Sequence, residues 1–163
     1  MKRVRLLTDS ILANFANAVF VHRDIIYRLW IVAPWVGYEQ ARTDPILQLI
    51  DALRGKKKSV TIITRPPAEI WHADAIRLFE ANIKPVVYYC TNLHTKLYIM
   101  ECDGLRSAIL GSPNLTPRAN TLNREIAVEF RTTTDSPKDD IAILINDLTQ
   151  YASELRGISR LAN

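Results

Sequence analysis

Apolar positions along this chain fall into alternating helical and extended patterns. Leu12, Phe15, Ala16 and Val19 recur at the three-to-four spacing of one helix face, with Thr8 and Asp9 placed before them as capping residues. Residues 25–33 are an apolar run rich in β-formers that stops at Pro34, which predicts a buried strand. Asp44-Pro45 has the form of an N-cap followed by proline at the first helical position. Ile46, Leu49, Ile50 and Leu53 then make the buried stripe, and Gly55 is the stop. Residues 60–64 predict a second short strand, ended by Arg65-Pro66-Pro67. A helix over about 68–81 and a strand over 86–89 follow.

After residue 90 the rhythm changes. Residues 94–101, 107–110 and 125–132 read as strands with no helix between them long enough to cross over. Cys102-Asp103-Gly104 predicts a hairpin turn, because Asp-Gly tolerates positive φ. Ser136-Pro137 opens a last helix with Asp139 and Asp140 in its first turn and a stripe of Ile141, Leu144, Ile145, Leu148, Tyr151 and Leu155. The class is α/β: a mixed, mainly β-sheet core with helices flanking both faces, in one domain over residues 1–163.

The 163 residues are 48% hydrophobic and 23% charged, enough to bury a core. The net charge is +4, which permits an anionic partner without demanding one. Lys56, Lys57 and Lys58 read as a solvated helix end. Cys90 and Cys102 have neither CxxC spacing nor histidines placed to complete a zinc site, and are expected to be reduced thiols of a cytoplasmic protein. The basic start is interrupted by Asp9, Ser10 and Asn14 and does not read as a signal peptide. No apolar stretch reaches membrane-spanning length. Trp30 and Trp71 are assigned to packing, and His22 and His72 to the surface or its boundary.

Chemistry concentrates between residues 94 and 125. On a strand, His94 and Lys96 would share a face with Tyr98 and Met100, while Thr95, Leu97 and Ile99 take the other. An imidazole and a fixed cation then lie side by side. Gly111-Ser112-Pro113-Asn114 supplies a hydroxyl, an amide and turn N–H groups, all donors for an anionic oxygen. Asn123 and Glu125 would share a face of the next strand, where a carboxylate can orient a histidine.

These residues resemble the phospholipase D superfamily, in its single-motif, nuclease-like form. The family pattern is His-x-Lys, four residues, Asp, then Gly-Ser-x-Asn and a later Asn-x-Glu. His94-Thr95-Lys96, Gly111-Ser112-Pro113-Asn114 and Asn123-Arg124-Glu125 match it. The acidic position falls on Glu101, with Asp103 two residues on, which departs from the pattern. The resemblance implies a phosphodiesterase that needs neither metal nor cofactor. His94 is the nucleophile that becomes a phosphohistidine, Lys96, Ser112 and Asn114 hold the non-bridging oxygens, and Glu125 orients His94. A second histidine serves as acid and then base. Neither His22 nor His72 is followed by a lysine two residues later, so the second motif must come from another chain, and a homodimer is implied.

Short single-motif members of this family are mostly nucleases, so DNA or RNA is the expected substrate. Gly111 and Asn123 are expected beside it, Arg118 and Arg124 on flanking phosphates, and Trp35 at the rim, where it would stack a base or pack. A second reading is a subunit of a larger defence or repair complex with an ATPase, with little activity alone. A third is a phospholipase D-type lipid hydrolase, for which no basic amphipathic helix is present. No membrane partner is expected.

Overall fold

The computed structural model describes residues 3–39, 44–56, 58–133 and 139–162. Eight strands form one sheet: β1 (Val4–Leu7), β2 (Ile26–Val32), β3 (Ser59–Thr64), β4 (Val86–Tyr89), β5 (Leu97–Cys102), β6 (Leu105–Gly111), β7 (Ala127–Thr132) and β8 (Arg160–Leu161). Their order across the sheet is β1-β7-β6-β5-β2-β3-β4-β8. The β2–β3 and β3–β4 pairs are parallel and the remaining pairs antiparallel, which is the mixed sheet expected. The helices are α1 (Ile11–His22), α2 (Pro45–Leu53), α3 (Ile70–Ile83), the single turn α4 (Pro117–Thr121) and α5 (Asp140–Ile158).

Strand alternation divides the core into two layers. Leu29 and Ile31 of β2, Ile62 of β3, and Tyr98 and Met100 of β5 join the apolar stripes of α1, α2 and α3. Their neighbours Trp30, Val32, Ile63, Leu97 and Ile99 point the other way, onto Ile145, Ala152 and Leu155 of α5. Each aliphatic side chain so buried contributes about 1.5–3 kcal/mol. Helices therefore cover both faces, and the central strands read as continuous apolar runs.

Several local expectations shift. The N-cap position of α1 is Ser10, at φ 48°, with no side-chain cap bond, while the Thr8 hydroxyl donates to Asp9 at 3.2 Å. Asp44 does cap α2, accepting from Ile46 N at 2.7 Å, and Gly55 beyond it has φ +70°. Pro66-Pro67 keeps the chain extended, so α3 begins at Ile70 and ends on Lys84 in the left-handed region. The strands expected from residues 94 and 125 begin later, at Leu97 and Ala127, which leaves His94, Lys96, Asn123 and Glu125 in loops. Because β5 is buried on both faces, Tyr98 and Met100 lie in the core rather than on an open face with His94 and Lys96. The basic lead forms edge strand β1, where Arg5 pairs with Glu129 at 3.0 Å. The proposed helix start at Ser136-Pro137 lies outside the described residues. Asp139 caps α5.

His72 and Trp71 depart furthest. His72 is fully buried, with Nε2 3.0 Å from the Thr64 hydroxyl, and burial pulls its pKa down to about 4. Trp71 is 45% exposed instead of packed inside. Trp30 is buried as expected.

Candidate active site

One end of the sheet collects every motif. The parallel strands β2 and β3 end there, running into Trp35 and Arg65. β5 and β7 start there, and β6 ends there on Gly111. Such an end, outside the carboxyl ends of parallel strands, is where open α/β sheets place ligands.

His94 sits in the loop after β4, between the buried Leu93 and the first residues of β5. Its ring is exposed. Arg65 Nη2 lies over the ring, 2.9 Å from its Nε2 and 3.4 Å from its Nδ1, while Arg65 Nε donates to Leu93 O at 2.8 Å. On the other side of the loop, the Thr95 hydroxyl lies 2.7 Å from the Tyr151 hydroxyl, which ties the loop to α5. Lys96 is half-buried. Its carbonyl accepts from Gly111 N at 3.2 Å, fixing it beside the end of β6, and its ammonium makes no hydrogen bond or ion pair among the described residues.

Gly111 is required by closeness. A Cβ there would stand 2.5 Å from both Cα and Cβ of Ala127. Ser112 next to it is clamped to Ile126 by Ser112 N–Ile126 O at 2.9 Å and Ile126 N–Ser112 Oγ at 3.0 Å. The Ser112 hydroxyl donates to Glu125 Oε2, whose Oε1 accepts from Asn123 Nδ2 at 3.2 Å. Glu125 is thus engaged with Ser112 and Asn123, and the group that meets His94 in this chain is Arg65. The buried carbonyl of Pro113 accepts from the Tyr98 hydroxyl at 2.7 Å. Burial first, and the Glu125 carboxylate second, push the Tyr98 pKa well up, so it remains a donor. Asn114 Oδ1 accepts from Trp35 N at 3.3 Å. Glu101, at the family's acidic position, is 6% exposed and pairs with Arg28 across β2 at 3.2 Å, far along the strand from His94.

Beside this cluster opens a groove of about 630 Å³ lined by Trp35, Tyr38, Trp71, Asn114, Arg118 and Asn123, among others. Arg118 therefore borders the site. Arg124 is exposed and makes no hydrogen bond or ion pair to the site among the described residues. Arg65, Tyr98 and Trp71 are the site residues that the sequence patterns did not single out. No described helix is long and apolar enough to cross a membrane.

The fold has solved counterparts. It is similar to the phospholipase D family member Nuc from Salmonella typhimurium, at TM-score 0.69 and 17% identity, over 98% of this chain and 99% of that one. It is similar to NucT from Helicobacter pylori at TM-score 0.68 and 14% identity, over 98% of each chain. It also resembles phosphatidylserine synthase from Haemophilus influenzae, at TM-score 0.60 and 17% identity, over 98% of this chain but 39% of that protein. At these identities the likeness is one of fold. No curated protein matches the chain. The family model described as "Cardiolipin synthase, PLD-like domain" matches residues 3–142, and with the fold and the ordered motifs in agreement, the chain belongs to that phospholipase D-like family.

Proposed function

We propose that this chain is a metal-independent phosphodiesterase, a nuclease that hydrolyses DNA or RNA, working as a homodimer through a covalent phosphohistidine at His94. The observation that carries the reading is the cluster itself. An exposed imidazole stands at one sheet end together with Lys96, Arg65 and the Ser112–Asn114 turn.

The phosphate enters with its non-bridging oxygens toward Lys96, Ser112, Asn114 and Arg65. Arg65 then exchanges its contact with the His94 ring for phosphate oxygens, and a ring nitrogen of His94 attacks phosphorus through its lone pair. The N–P bond forms as the bond to the leaving oxygen breaks, and His94 of the partner subunit donates a proton to that oxygen. It then takes a proton from the attacking water as the N–P bond breaks, which restores both imidazoles. Fixed cations at the developing charge replace the role a metal would play. The Ser112 hydroxyl turns its proton from Glu125 to a phosphate oxygen, while Glu125 keeps its bond to Asn123.

Two observations support the two-chain site. His72 is sealed in the core, so it is not available as the second histidine. Apolar side chains are exposed around the motif: Leu122 at 75% and Ile126 at 55% flank Asn123–Glu125, and Leu6 and Leu110 lie in one cross-strand row through Val128. A second copy would cover them.

The test is cleavage of single-stranded DNA, duplex DNA, RNA and bis(p-nitrophenyl) phosphate in excess EDTA, wild type beside His94→Ala. Cleavage that survives EDTA and is lost in the variant supports the proposal. Cleavage that requires metal, or persists without His94, overturns it.

A further inference from the structure

We infer that the groove lined by Trp35 and Trp71 is a stacking site for one unpaired base of a single-stranded nucleic acid, adjoining the phosphate bound at His94. This rests on the nuclease reading and narrows its substrate.

Trp71 is built for display. It lies on α3 with 45% of its surface exposed, yet its ring is fixed from behind by the buried His72, stacked at 5.7 Å and 23°. Trp35 meets the same histidine edge-on at 5.6 Å. The two indoles are 6.1 Å apart and inclined by 47°, in contact with each other, so the surface offered to a base is the exposed side of Trp71. Gly37 makes room for this arrangement, since a Cβ there would stand 2.9 Å from Trp71 Cε3. A tryptophan serving only as packing would not be half open beside a groove whose about 630 Å³ falls within the range of small-molecule sites.

The groove is coupled to the chemistry. The loop of Trp35 is bridged to the phosphate-binding turn by Leu115 N–Trp35 O at 3.1 Å and Gly37 N–Leu115 O at 2.9 Å, besides the Asn114 bond. The Arg65 guanidinium lies over the Trp35 ring at 5.3 Å while reaching His94. A base stacked on Trp71 and a phosphate at His94 therefore belong to neighbouring positions on one strand.

The rim chooses a base over a phosphate. Glu39 and Glu69 line the groove with Arg118, Asn114 and Asn123, two carboxylates to one guanidinium. Carboxylates repel phosphate but accept from exocyclic amines, and the amides pair with base edges. A base can enter only when it is out of a duplex stack, so single strands are selected.

The experiment measures affinity by fluorescence anisotropy in EDTA on the non-cleaving His94→Ala background. The probes are a labelled cytosine-containing single strand, its duplex, and an abasic strand of equal length. Base stacking is worth a factor of about 5–150 per base, so the abasic strand and the duplex are expected to bind weaker by that order. Adding Trp71→Ala should bring the single strand down to the abasic level, and Trp71→Phe should retain most of the difference. Equal affinity for all three probes overturns the inference, as does a Trp71→Ala protein that melts normally and binds single strands undiminished. Loss of dimer mass in Trp71→Ala overturns it too, since the groove would then be a subunit interface. Cleavage by wild type, assayed separately on bis(p-nitrophenyl) phosphate, reports on the nuclease reading independently.

Discussion

Replacing Tyr98 by Phe removes one oxygen atom from the core and tests how the phosphate-binding turn is held. Tyr98 is 1% exposed, and its hydroxyl donates to the Pro113 carbonyl at 2.7 Å. The ring contact with Phe15, at 5.3 Å between centroids, survives the substitution, so the hydrogen bond alone is lost. A buried carbonyl left without its donor costs about 1–3 kcal/mol. For a protein of this size that lowers Tm by about 2–12 °C. Pro113 lies between Ser112 and Asn114, so loosening it displaces two proposed phosphate ligands at once, and misplacement by an ångström costs up to about 100-fold in rate. Differential scanning calorimetry and kcat on a phosphodiester substrate measure both effects. A variant that melts within about a degree of wild type would refute the claim that this bond supports the turn. A lowered Tm with unchanged kcat would refute its link to activity.

Gly111→Ala forces a Cβ against the Ala127 backbone, which no rotamer change relieves. It should destabilise the protein by about 1–3 kcal/mol or more and open the Ser112–Ile126 pair, seen as a lower Tm and lost turnover. His72 is neutral when folded, with a pKa of about 4 against 6.5 in the unfolded chain. The unfolded state binds the extra proton between those values, so stability falls as pH drops through that window, by about 3 kcal/mol in all. Denaturant titrations of wild type and His72→Gln from pH 7 to 4 should show this component in the wild type only. Arg65→Ala should lower kcat by about 100-fold, and Arg65→Lys should recover only part, because an ammonium lacks the planar fork that reaches both Leu93 O and the phosphate. Steady-state kinetics of the two variants decide it.

The parts that were legible in the sequence are those whose signal is local. Asp44-Pro45 announces α2 because capping is a matter of two adjacent residues, and Asp103-Gly104 announces the β5–β6 hairpin for the same reason. The ordered motifs at 94–96, 111–114 and 123–125 marked the site, and all three arrive at one sheet end. What was hidden depends on long-range geometry. β1 reads as a basic lead because an edge strand with three exposed positions shows no apolar alternation. His94 and Lys96 read as strand because the ladder's true start, set by pairing of Leu97 with Val32 and Leu110, leaves no mark in composition. Arg65 follows a strand like any other polar stop, and only the fold brings it to His94 across 29 positions. Trp71 and His72 are adjacent on a helix with opposite fates, one in the groove and one in the core. That division follows from which way α3 faces, which its weakly apolar pattern does not reveal.

The central claim is that His94 forms a covalent bond to phosphorus. Intact-mass and peptide-mapping mass spectrometry of the protein, quenched and held at alkaline pH during turnover of a phosphodiester in EDTA, test it most directly. The account predicts an adduct on His94 of the phosphorus with its remaining ester group, lost on acidification and absent from His94→Ala. Turnover with no adduct, or an adduct on another residue, would contradict it.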